Sequence, residues 1–186
     1  MKERIINTCV LLCACFVALV GIEIALRIYG DDVIAMGNQF IFYQFDDKLG
    51  WSNRPNTTGY LARSEYRIRV QINSLGMRDR EPPANSEGLF RIAVLGDSFV
   101  WGVGANYGQR FTEVLEKALG HPEVLNYGVS GYGTTQELIQ LDTVLARDPD
   151  YVIVAFTLSN DVMESVYPFR MGYNKPFSRR TAGGAV

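Results

Sequence analysis

Apolar residues run without a charge from Ile5 to Ile22 and continue past Glu23 through Ile24, Ala25, Leu26 and Ile28. At about 1.5 Å per helical residue, residues 5–28 are long enough to cross a hydrocarbon layer of about 30 Å. Glu23 and Arg27 fall on one face of such a helix and can pair near the interface. Lys2 and Arg4 precede the span, while Arg27, Asp31 and Asp32 follow it. That order favours a cytoplasmic N-terminus, with the rest of the chain outside, in a periplasm or at the cell surface. The expectation is a single-pass transmembrane anchor over residues 1–30. A cleaved signal peptide and a buried core helix are the alternatives. Cys9, Cys13 and Cys15 all lie within the span, so cysteine usage says nothing about the compartment of the rest.

Residues 31–88 show a different pattern. Tyr66, Ile68, Val70 and Ile72 alternate with Arg67, Arg69 and Gln71, as in a half-buried strand. Around it, Gly50-Trp51, Arg54-Pro55-Asn56 and Gly59 punctuate an otherwise irregular, membrane-proximal segment. Glu81 to Ser86, with Pro82 and Pro83, reads as a linker. Arg63, Arg67, Arg69, Arg78 and Arg80 fit a solvated strand face, or a surface for an anionic glycan or lipid head group.

From residue 89 to 186 a third pattern takes over. Phe90 to Leu95 is a compact apolar strand. Phe111, Val114, Leu115, Ala118 and Leu119 recur at helical spacing, which predicts a helix over about 107–119 that stops at Gly120. Val124 to Tyr127 is a second strand. Thr134 and Glu137 form a capping-box pattern, opening a helix that should bury Leu138, Leu141 and Leu145. Tyr151 to Phe156 is a third, wholly apolar strand, and Val162 to Tyr167 reads as a short helix. Strands alternating with helices predict an α/β domain with a parallel sheet covered on both faces.

In such a sheet, sites lie beyond the carboxyl ends of the strands. Three polar clusters fall there: Gly96-Asp97-Ser98 after the first strand, Asn126 to Gly131 after the second, and Ser159-Asn160-Asp161 after the third. Each is weak alone; in order, one per strand, they converge on one rim. A net charge of −2 gives no basic field for nucleic acid, and no motif implies a metal or cofactor. Neither charge nor pattern sets an oligomeric state.

Residues 89–161 resemble the SGNH hydrolase superfamily, also called GDSL esterases and lipases. Gly96-Asp97-Ser98-Phe99 resembles the first family block, with Phe99 where the namesake has leucine. Gly131 resembles the second-block glycine. Asn160 resembles the third-block asparagine, with Leu158 where that block usually has glycine. The apolar span and Asn73 to Asp79 add a likeness to membrane-tethered bacterial members. The resemblance implies a flavodoxin-like three-layer sheet and a serine ester hydrolase acting on an acylated small molecule, lipid or polysaccharide.

The residue types suit that chemistry. A serine hydroxyl attacks once a base takes its proton. Ser98 at a strand-to-helix turn exposes its oxygen. The negative charge that then develops on the substrate oxygen has three candidate donors: the backbone N–H of Ser98, the N–H of Gly131 and the amide of Asn160. Asp97 and Asp161 read as structural.

The family's final block, an aspartate followed three residues later by histidine, has no match here. The one histidine, His121, follows the helix that runs back from Ser98, so it is expected at the opposite edge of the sheet. General-base catalysis needs contact at about 3 Å. The sheet also has fewer strands than the family's, leaving the third as an exposed edge, and residues 178–186 look unpacked. A C-terminally incomplete, nearly inactive family member is therefore expected. The alternatives are a glycan- or lipid-binding pseudoenzyme, and an exopolysaccharide O-acyltransferase; the latter resemblance implies an upstream histidine that this chain lacks.

Overall fold

The computed structural model describes residues 2–83 and 88–179. Residues 84–86 of the expected linker and 180–186 of the tail lie outside them. Helix α1 spans Lys2–Asn38, and every residue from 2 to 28 is exposed, with no cover from the other described residues. Its length and apolarity fit a membrane span, and equally an N-terminal signal sequence. The expected intrahelical pair forms: Arg27 Nε donates to Glu23 Oε1 at 2.8 Å. The three cysteines lie exposed along this helix.

The middle segment is more ordered than its sequence suggests. Besides the expected strand, β4 (Arg67–Ile72), it contains β1 (Tyr43–Asp46), β2 (Gly50–Asn53) and β3 (Thr57–Ala62). β1 pairs antiparallel with β2, and β3 with β4. The first hairpin turns at Asp46, whose Oδ1 accepts from the backbone N–H groups of Lys48 and Leu49. In β4 the alternation is obeyed: Ile68, Val70 and Ile72 are buried, while Arg67, Arg69 and Gln71 face out.

The α/β part comprises β5 (Arg91–Gly96), α2 (Ser98–Trp101), α3 (Phe111–Ala118), β6 (Glu123–Asn126), α4 (Thr134–Leu145), β7 (Tyr151–Ala155) and α5 (Asp161–Val166). A small hairpin, β8 (Phe169–Arg170) and β9 (Tyr173–Asn174), follows. β5 is the centre of a three-stranded parallel sheet, ordered β6-β5-β7. Among the described residues no strand pairs with the outer edge of β7, where Tyr151, Ile153 and Val154 are exposed.

Both long helices differ from expectation. α3 starts at Phe111, because residues 102–110 turn through Gly102, Gly104 and Gly108 at positive φ. α4 is capped one residue earlier than expected: Gln136, not Glu137, has its side chain turned back to the Gly133 N–H. That rotates the buried face. Gln136, Glu137 and Val144 point inward, Leu141 is partly buried, and Leu138 and Leu145 are exposed.

The middle segment does not fold apart from the α/β part. Phe42, Trp51, Leu61, Ile68, Val70 and Ile72 form one core with Trp101, Val129 and Tyr132. A second tie runs through Asn73 to Asp79. Asn73 is buried; its Oδ1 accepts from Leu75 and Met77 N–H, and its Nδ2 donates to the Arg80 carbonyl. Asp79 accepts from Asn126 N–H in β6.

Arg78, 2% exposed, lies 4.4 Å over the Trp101 ring and donates to the carbonyls of Trp101, Gly102, Arg69 and Ala105. Burial and the neighbouring Arg110 lower its pKa to about 10, so it stays charged at neutral pH. The expected basic surface is therefore only partly a surface. Arg78 is internal, and Arg80 is held by both Glu116 oxygens. Lysine keeps the charge but not the planar fork that reaches four carbonyls. Arg78→Lys is expected to cost about 2–4 kcal/mol of stability, read as a lower urea midpoint of the full chain in detergent.

Candidate active site

The carboxyl ends of β5, β6 and β7 deliver three loops to one rim. Ser98, Gly131 and Asn160 line a single cavity of about 420 Å³. Ser98 is the first residue of α2 and half-buried. Asp97, fully buried, caps that turn: its Oδ1 accepts from Phe99 N–H at 2.9 Å. Its Oδ2 accepts from Asn160 Nδ2 at 2.7 Å. The third-strand asparagine is thus fixed by the carboxylate beside the serine, and one amide hydrogen of Nδ2 remains for the cavity. Asp161 Oδ2 accepts from Thr157 N–H at 2.5 Å and closes the turn after β7.

The loop after β6 is held from below. Asn126, fully buried, donates through Nδ2 to the Val100 carbonyl at 2.7 Å and accepts from Gly128 N–H at 3.0 Å. Gly128 passes so close to α2 that a Cβ there would meet the backbone of Val100 and Trp101. Gly131 has φ +81°, in the left-handed region that favours glycine.

The remaining wall comes largely from outside the three clusters. Phe42, Tyr43 and Tyr66 of the middle segment, and Arg170 and Met171 of the β8–β9 hairpin, line the same cavity. Sequence reasoning missed these, since no local pattern marks a residue that reaches a site only through tertiary packing. Burial pushes the Tyr43 phenol up to about 12, so it stays a neutral donor. Of the aromatics near the motifs, Trp101 lines the cavity, Phe99 is exposed, and Tyr132 is buried in the core. The hairpin is pinned by Lys175, which donates to the Glu164 carbonyl, and by Arg170 Nε on Glu164 Oε1 at 3.1 Å. Ser178 is packed, contrary to expectation: its N–H donates to the Ser165 carbonyl, and its hydroxyl lies 2.7 Å from that of Thr135.

His121 sits where the sequence places it. It follows α3 and precedes Glu123, which pairs in register with Arg91, the first residue of β5. Ser98 comes two residues after Gly96, the last residue of that strand, so the two lie at opposite ends of the sheet. Among the described residues no cluster of histidine, cysteine and carboxylate side chains could hold a metal.

One buried acid was not anticipated in this role. Glu137 is 1% exposed, and among the described residues neither carboxyl oxygen has a hydrogen-bond partner. Burial, then Asp161 and Asp97, push its pKa from 4.5 up to about 7. A raised folded-state value means that the native protein holds a proton which the unfolded chain releases. The contribution of this group to stability is present below about pH 4.5 and is lost as pH rises through about 7. Glu137→Gln removes that loss. The stability of the variant relative to the parent is expected to grow between pH 5 and pH 8, measured by urea denaturation at each pH.

Residues 94–179 match the sequence profile of the GDSL-like Lipase/Acylhydrolase family. Similar solved structures include the esterase AlinE4, described as an SGNH-hydrolase family esterase, and a point variant of it. Each is 30% identical, with 45% of this chain and 48% of that chain covered and a TM-score of 0.37. The chain thus spans about half the length of these structures. No curated protein matches. The stretch that matches this family model carries the serine, glycine and asparagine of the rim.

Proposed function

We propose that this protein is a serine ester hydrolase whose nucleophile is Ser98 and whose oxyanion donors are the Ser98 N–H, the Gly131 N–H and the free hydrogen of Asn160 Nδ2. The observation that carries this reading is the convergence of the three residues on one cavity from three successive strands. The hydroxyl attacks an acyl carbonyl, its proton passes to a base, and the alkoxide is met by preformed dipoles. Loss of one such donor typically costs on the order of 10²–10³ in rate. Asp97 acts behind the site, fixing the serine turn and the asparagine together.

α1 serves as the anchor, with the α/β part outside the cytoplasm. The substrate class is an acylated lipid or polysaccharide, which suits a cavity with the aromatic walls of Phe42, Tyr43, Tyr66 and Trp101. The base is not among the described residues, because His121 lies at the far end of the sheet. The apolar, uncovered edge of β7 supports a sheet that continues in the complete catalytic unit. The same placement of His121 favours a second reading, a pseudoenzyme that binds an acylated glycan or lipid without cleaving it.

A diffusible base separates the two. Imidazole added to the full chain is expected to raise hydrolysis of a short-chain nitrophenyl ester in a saturable way. The expected gain is on the order of tenfold over the rate without imidazole, and Ser98→Ala abolishes it. Equal rates for parent and Ser98→Ala at every imidazole concentration would leave only the binding reading.

A further inference from the structure

The loop that carries Gly131 is held by a strand that lies far away in sequence. Trp51, in β2, is fully buried, and its indole Nε1–H donates to the Ser130 carbonyl at 3.1 Å. Two residues on, and so on the same face of the strand, Asn53 donates through Nδ2 to the Gly128 carbonyl at 3.1 Å. Asn53 Oδ1 in turn accepts from Trp101 Nε1 at 3.1 Å, which ties the loop to the helix that begins at Ser98. The ring of Tyr132 packs edge-on against Trp51 with centroids 5.6 Å apart, and its hydroxyl donates to the Trp51 carbonyl at 2.6 Å.

The peptide between Ser130 and Gly131 is the consequential one. In a trans peptide the C=O and the following N–H point in opposite directions. The indole fixes the Ser130 carbonyl on the core side, so the Gly131 N–H is turned to the other side. Gly131 lines the cavity that holds Ser98. A carbonyl that accepts a hydrogen bond also polarises its own amide, making that N–H a stronger donor. Glycine leaves this link unobstructed: a Cβ at Gly131 would stand 3.3 Å from Trp51 Cζ2, tighter than most real contacts.

From this geometry we infer that Trp51 is a positioning residue for the reaction, aiming and polarising the Gly131 N–H through the Ser130 carbonyl. The inference rests on the ester-hydrolase reading of the cavity. It gives the membrane-proximal segment a part in the chemistry: β2 supplies no atom to the substrate and sets the direction of one that does. The other strong candidate, the arginine-lined hollow formed by Arg69, Arg78, Arg80 and Arg110, is weaker, because three of the four arginines are already committed to carbonyls, Glu113 or Glu116.

Two replacements of Trp51 in the full chain test it. Trp51→Phe keeps an aromatic ring and removes the donor. The benzothienyl analogue of tryptophan, incorporated at position 51, keeps the bicyclic shape and lacks the N–H, which guards against a folding defect in the first. Both are expected to shift the Gly131 amide proton upfield in a glycine-labelled spectrum. Both should also lower kcat of imidazole-supported hydrolysis about tenfold, with KM unchanged within about twofold. An unmoved Gly131 resonance, or a fall confined to KM, overturns the assignment. Absence of Ser98-dependent turnover in the parent overturns the hydrolase reading instead, and the Gly131 resonance still decides whether the indole orients that amide.

Discussion

A buried carboxylate at the end of the central strand holds the rim together. Asp97 is fully buried and spends its two oxygens on different partners: the N–H of Phe99, in its own turn, and the amide of Asn160, at the end of the neighbouring strand. An ionised group out of water is tolerated only when such donors replace its hydration. The turn and the asparagine are therefore held in place by the same requirement. A misplaced Asn160 would leave Asp97 Oδ2 without its partner, at a cost of about 1–3 kcal/mol or more for a charged group.

The same logic recurs one strand over. Asn126 is buried at the end of β6 and bridges the Val100 carbonyl and the Gly128 N–H, so the second loop is tied to the first helix. Trp51 and Asn53 complete the ring from the opposite side. Each loop of the rim is thus bound to its neighbour by a buried polar side chain, and the walls between them are aromatic. This is rigid support of the kind a preorganised oxyanion site requires, since donors that must reorient during the reaction lose most of their value.

What could be read from sequence divides along the range of the interactions. The strands of the sheet, the serine turn and the position of His121 are local or nearly local. A compact apolar run, a Gly-Asp-Ser exit and a helix of countable length fix them without knowledge of the rest. β1, β2 and β3 were not legible. They are short and rich in polar residues, and they are stabilised by pairing and by a core shared with Trp101, Val129 and Tyr132. The inward face of α4 was misassigned for a related reason. Leu138 and Leu145 follow helical spacing, yet the cap at Gly133 turns Gln136 and Glu137 inward, and Gln136 Nε2 reaches the Leu49 carbonyl. A polar side chain needed by a distant hairpin outweighed a leucine stripe.

Two features of the α/β part stand apart from this scheme: its outer strand and its unpartnered acid. β7 is apolar along its length yet, among the described residues, pairs on one side only, and Phe156 and Leu158 beyond it are 48% and 86% exposed. An uncovered apolar edge is a template for further pairing. Asp161 opens the helix that follows this strand, and after burial it is the next cause of the raised Glu137 pKa. Donors brought to this region would relieve Glu137, whereas bare apolar cover would deepen its desolvation. Burial and the charges of Asp161 and Asp97 raise the Glu137 pKa, and among the described residues neither of its carboxyl oxygens meets a donor.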